Sequence, residues 1–142
     1  MRNTPLVSID LVVRDDRERV LLGHRLNRPA QGSWFVPGGR ICKDERIDDA
    51  FLRISHAELG RAIPRADGHL LGIYEHLYDD NALQIHGVNT HYVVIAYELH
   101  VDPASLVLPD VQHDRFRWMD VREIRDDGAV HPNTKAYFTS QR

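Results

Sequence analysis

The sequence predicts an α+β fold, helices packed on a mixed β-sheet, on three observations. Segments of strand period lie on both sides of one long segment of helix period, without the regular strand–helix alternation of a doubly wound parallel sheet. Pro and Gly punctuate the chain at 29–39 and 64–72, where elements of this kind must turn. A content of 42% hydrophobic and 27% charged residues over 142 positions suits a chain that buries one core. No repeat, low-complexity tract or linker divides it, so residues 1–142 read as a single domain.

Within 6–14, Val7, Ile9, Leu11 and Val13 fall on one face and Ser8, Asp10 and Val12 on the other, the period of a strand. Asp10 therefore sits mid-strand. The stretch 19–24 follows a charged turn at 15–18 and predicts an antiparallel partner, the two forming a hairpin. A short extended run at 33–37 is closed by Pro37-Gly38-Gly39, a tight turn. From 46 to 59, Ile47, Ala50, Phe51, Ile54 and Ala57 recur at helical spacing; Asp44 can cap the start, Gly60 can end it, and Pro64 lies beyond. Strands follow at 69–78, 91–99 and 114–119, and an amphipathic segment at 131–138 predicts a terminal helix.

Lys plus Arg number 18 against 21 Asp plus Glu, a net charge of −3, which leaves no overall basic field for a nucleic-acid backbone or an anionic membrane. A phosphate ligand must then meet local arginines. The apolar run at 6–13 is broken by Ser8 and Asp10 and no cleavage site follows, so it reads as a strand and not a signal peptide. Nothing approaches the roughly 20 apolar residues of a membrane-spanning helix, and the chain reads as soluble. Its one cysteine, Cys42, allows neither an intrachain disulfide nor a thiolate zinc cluster and has no visible base partner. A reducing cytoplasm is the expected compartment.

Glu58 stands out. At 100° per residue it lies within about 20° of both Ile47 and Phe51, in the apolar stripe of the predicted helix. Burying an unpaired carboxylate costs several kcal/mol, so it must be neutralised by a cation or reach out at the helix end. Its surroundings are Gly39-x5-Glu45-x7-Arg53-x4-Glu58-x-Gly60, preceded by Pro37-Gly38. This spacing resembles the Nudix box, G-x5-E-x7-R-E-U-x-E-E-x-G-U with U a bulky apolar residue, at five fixed positions across 22 residues. Ile54 and Ala57 replace two of the usual metal-binding glutamates, and Ser55 and Arg61 stand at the apolar positions.

The depleted box resembles that of the GDP-mannose mannosyl hydrolases, an offshoot of the Nudix family. The likeness extends through Thr4-Pro5-Leu6-Val7-Ser8, Asn27-Arg28-Pro29-Ala30-Gln31-Gly32, Trp34-Phe35-Val36-Pro37-Gly38-Gly39-Arg40, Tyr78-Asp79-Asp80-Asn81, Thr90-His91-Tyr92-Val93-Val94, Leu108-Pro109-Asp110 and Gln112-His113-Asp114. It implies a Nudix-like mixed sheet sandwiched between helices and a Mg2+-dependent enzyme, with Mn2+ as a possible substitute. The implied reaction is hydrolysis of a GDP-sugar, GDP-mannose or GDP-glucose, to GDP and free hexose by water attack at the anomeric carbon with inversion.

The resemblance assigns the metal to Glu58, the carbonyl of Gly38 and the side chain of Gln112, a partial oxygen shell of the kind Mg2+ accepts. It makes His113, in a polar loop, the general base, for which an ordinary His pKa of about 6.5 is suited. Arg25 and Arg40 fall on the substrate phosphates, His76 near the sugar, Tyr92 near the departing phosphate, and Asp10 beside the ring, where a carboxylate stabilises an oxocarbenium-like centre. His91 is a weaker candidate. Glu45 and Arg53 match the box but suit structural ion pairing. The subfamily forms dimers, which implies a homodimer; it also carries a longer N-terminal segment that helps hold guanine, whereas nine residues precede Asp10 here, leaving base selectivity open. The competing readings are conventional Nudix cleavage at phosphorus and a non-catalytic nucleotide-sugar binding module.

Overall fold

A computed structural model describes residues 4–25, 32–78, 90–109 and 113–139, with the side chains of residues 25, 78, 113–115 and 139 left aside. The described residues form strands β1 (Leu6–Arg14), β2 (Val20–Arg25), β3 (Trp34–Phe35), β4 (Gly38–Arg40), β5 (His69–Tyr78), β6 (Thr90–His100) and β7 (His113–Met119). Helices are α1 (Ile47–Leu59), α2 (Val121–Asp126) and α3 (Pro132–Thr139). The strand order is β3-β2-β1-β6-β5, with β4 also pairing β1 and β7 pairing β2. The sheet is mixed, as predicted, because β1 and β6 run parallel while the other pairs are antiparallel.

Alternation along β1 separates two cores. Ile9, Leu11 and Val13 join Leu21, Tyr97 and Leu99 under Ala50, Phe51, Ile54 and Leu59 of α1. On the other face Val12 and Ala96 join Val20 and Leu22 under Ile124 of α2 and Tyr137 and Phe138 of α3. Each fully buried side chain of this size contributes about 1.5–3 kcal/mol, so the sheet is held by helices on both faces. None of the helices among the described residues is long and apolar enough to cross a membrane.

The predicted hairpin is shorter than expected. Asp15, 1% exposed, accepts hydrogen bonds from the backbone N–H of Arg17 at 2.9 Å and of Arg19 at 2.8 Å, and from Arg19 Nε at 2.8 Å. Burial pushes its carboxyl up, but the bonds from Arg19 and Arg17 outweigh this and leave it below the usual carboxylate range. This turn joins β1 to β2 at Arg14 and Val20, while Ser8, Ile9 and Asp10 pair instead with Arg40, Gly39 and Gly38 of β4. Glycine makes the second pairing feasible: a β-carbon on Gly38 would strike Asp10 Oδ1 and come within 2.6 Å of the Ile9 carbonyl oxygen.

Helix α1 ends at Gly60 as predicted, with φ 72° and its N–H on the His56 carbonyl at 2.9 Å. Its start differs from expectation. Asp44 does not cap it: the N-cap is Arg46, without a side-chain hydrogen bond, and Asp44 sits earlier in the loop at φ 67°. Helix α2 was not predicted, although Asp120 and Glu123 form a reciprocal capping box.

Candidate active site

Directly paired residues of neighbouring strands share a sheet face, and so do residues two apart on one strand. Asp10 is paired with Gly38 and with Ala96, Ser8 with Arg40, and Tyr92 with both Leu6 and His76. Register alone therefore brings Asp10, Gly38, Arg40, Tyr92 and His76 to one face, the face that carries α3. Tyr92 is half-buried and Arg40 exposed. His91 is one residue out of phase, on the opposite face, with its Nε2 3.4 Å from Glu75 Oε2.

At the centre of this face lies a polar cluster. The hydroxyl of Tyr137 donates a hydrogen bond to Asp10 Oδ2 and lies 3.3 Å from His76 Nε2. His76 is 5% exposed, and burial, aided by repulsion from His131, pushes its imidazole down to about 4. The ring is neutral at pH 7. Sequence reasoning selected Asp10 and His76 but missed Tyr137, which lies within the expected terminal helix at 131–138.

The carboxylate of Glu58 approaches the same region from α1. It is half-buried at the last turn, and its Oε1 lies 3.4 Å from the backbone N–H of Gly38, the residue against which Asp10 packs. Of the two alternatives for this side chain, the helix end is where it reaches out. Ile54, in place of a family glutamate, is 1% exposed and packs in the core, while Ala57 is exposed. Ser55, at an apolar box position, is fully buried and accepts the N–H of Ile63 at 2.8 Å.

Glu45 and Arg53 build the frame. Arg53 forks onto Glu45 through Nε at 2.8 Å and Nη2 at 2.9 Å, and the same Nη2 donates to the Arg40 carbonyl at 2.7 Å. Hydrogen bonds from Arg53 and from the Cys42 N–H hold the Glu45 carboxyl down to about 2. The fork ties the loop after β4 to α1.

Three selected residues fall partly or wholly beyond this geometry. Gln112 lies outside the described residues, as do 27–31 and 79–81. Arg25 and His113 are described by backbone only, where they are partners across β2 and β7. His113 opens strand β7 and is not in the expected loop, a correction that follows from its pairing with Arg25 across β2.

Over residues 4–139 the chain matches the NUDIX domain family. It belongs to the Nudix family. The low-salt glycan biosynthesis protein Agl8 of Haloferax volcanii is 40% identical over 137 residues, covering 96% of this chain and 81% of that protein. An ADP-ribose pyrophosphatase of Methanocaldococcus jannaschii is 34% identical over 70 residues, 49% of this chain and 40% of that one. The crystal structure of a MutT protein from Methanosarcina mazei Go1 has a TM-score of 0.76 at 19% identity, covering 96% of this chain and 92% of that chain, a likeness of fold.

The chain is thus a Nudix hydrolase, and Nudix hydrolases generally use divalent ions such as Mg2+. Among the described residues no group of three or more His, Cys, Asp and Glu side chains forms a metal cage. The half-buried Glu58 carboxylate beside the backbone of Gly38 offers hard oxygen donors. Such a set fits a hard cation that takes few protein ligands and fills its shell with water and substrate phosphate.

Proposed function

We propose that this Nudix hydrolase splits a GDP-sugar, GDP-mannose or GDP-glucose, into GDP and free hexose, with water attacking the anomeric carbon and inverting it. The supporting observation is the acid content of α1: Ile54 is buried in the core and Ala57 bears no acid, leaving Glu58 at the box positions that usually gather several cations. Identity of 40% to a glycan biosynthesis protein agrees with a sugar-linked substrate.

Glu58, the Gly38 carbonyl and Gln112 would hold Mg2+, or Mn2+ in its place, which when bound neutralises diphosphate charge as a Lewis acid. Arg25 and Arg40 bind the diphosphate and stabilise the charge that grows on it. His113 takes a proton from water as the water oxygen bonds to the anomeric carbon. The bond from that carbon to the diphosphate oxygen breaks with its electron pair on GDP, so no strong general acid is needed. Asp10 lies beside the ring and stabilises its positive charge, His76 orients the sugar, and Tyr92 contacts the departing phosphate. Residues 1–142 act as one catalytic unit, a homodimer in the cytoplasm, without nucleic-acid or membrane partners.

Hydrolysis in oxygen-18 water tests this directly. Label on the hexose is expected. Label on phosphate, with nucleoside monophosphate and sugar phosphate as products, would establish the second reading, pyrophosphohydrolysis, which the partial identity to an ADP-ribose pyrophosphatase favours.

A further inference from the structure

We propose that Tyr137 is a positioning residue of this hydrolytic site: its hydroxyl, carried in by the C-terminal helix, fixes the Asp10 carboxylate and the His76 ring against the sugar. The inference rests on the assignment of Asp10 and His76 to the sugar.

Tyr137 is 1% exposed, and a buried phenol must find polar partners. It finds them in Asp10 Oδ2 and His76 Nε2. Its ring has little room to swing. Tyr74 packs edge-on with centroids 4.7 Å apart, and Phe138 follows at 6.5 Å. The helix is tied at both ends: the N–H of Asn133 donates to His131 Nδ1 at 3.1 Å, and Arg125 Nη2 donates to the Phe138 carbonyl at 2.6 Å. Tyr137 thus brings a fixed hydroxyl to the middle of β1.

A hydroxyl has one proton to give and lone pairs to receive. With the proton engaged by Asp10, the Tyr137 oxygen is an acceptor toward His76, which assigns the Nε2–H tautomer to that neutral ring. The order of donors is His76 to Tyr137 to Asp10. One oxygen atom therefore sets the rotamer of a carboxylate and the tautomer of an imidazole on separate strands. Phenylalanine at 137 would keep the packing and remove both bonds.

In the full chain with Mg2+ and GDP-mannose, Tyr137→Phe is expected to lower kcat about 10- to 100-fold with KM within about twofold, because misplaced groups lose rate more than binding. In an Asp10→Asn background the same substitution is expected to lower kcat by a smaller factor than in the wild-type chain, since one of the two groups it positions is already altered. A single variant within about twofold of wild-type kcat, or an undiminished loss in the Asp10→Asn background, overturns the proposal. A purely structural role would lower thermal stability equally in both backgrounds. Nitrogen-15 spectra of His76 in the wild-type chain require no variant: a proton on Nε2 supports the proposal, and one on Nδ1 alone refutes it. The spectra hold whichever bond breaks, so they test the Tyr137 contacts separately from the reaction, which the oxygen-18 result decides.

Discussion

Gly38 sets how closely two carboxylates approach one stretch of backbone. Asp10 packs against its α-carbon, Glu58 reaches its N–H, and the hydrogen atom in place of a side chain lets β4 lie on β1. Alanine at 38 would push the Asp10 carboxylate from Tyr137 and strain the Ile9 carbonyl contact. Gly38→Ala is therefore expected to reduce kcat at least about 100-fold; steady-state turnover within about threefold of wild type would contradict this. Glu58 was legible because the box fixes its separation from Gly39 and Arg53, whereas Gly38, just ahead of the box, was selected through the resemblance. Tyr137 was not, because a tyrosine on a helix reads as core until its partner, 127 positions away in the chain, is known.

Helix α1 holds its place by local devices of which some were visible in advance. Spacing located the helix to within a residue and identified Gly60 as its end, since a left-handed residue there needs glycine. The Ser at position 55 departs from the box, yet its buried Oγ takes the Ile63 N–H at 2.8 Å and donates to the Leu52 carbonyl at 3.1 Å. It fastens the chain that leaves the helix. Ser55→Ala would strand the Ile63 N–H and is expected to cost about 1–3 kcal/mol, read as a lower urea midpoint with kcat unchanged. An unchanged midpoint would remove that role. The start of α1 misled because an acid two residues early resembles a cap, whereas Glu45 is committed to Arg53. The capping box of α2 was present as Asp120 and Glu123 but marks a helix of only six residues, too short for periodicity to reveal.

Across the whole molecule, burial couples the site to acid stability. His76 is held near 4 in the fold against an ordinary 6.5, so between these values the unfolded chain takes up a proton that the native chain refuses. Stability contributed by this group is fully present above about 6.5 and is lost as pH falls toward 4. Glu45, lowered from 4.5 to about 2, adds a second loss in more acidic solution. The melting temperature is expected to decline through the first window, and His76→Gln to flatten that decline. An equal slope in the variant would show that another group titrates there.

Strand and helix periods, the box spacing and the helix-ending Gly60 are properties of residues near one another in the chain, so they could be read without coordinates, whereas the tight turn expected at Pro37-Gly38-Gly39 gave way to strand β4, which pairs with β1. They sufficed for an α+β fold, for the face of β1 that bears Asp10, and for the place of Glu58 at the end of α1. Gathering Asp10, His76 and Tyr137 required the parallel pairing of β1 with β6, the antiparallel pairing of β6 with β5, and the docking of α3 on that face. Register and docking depend on how two cores fill on opposite sides of one sheet, a balance of contacts between distant segments that no local pattern encodes.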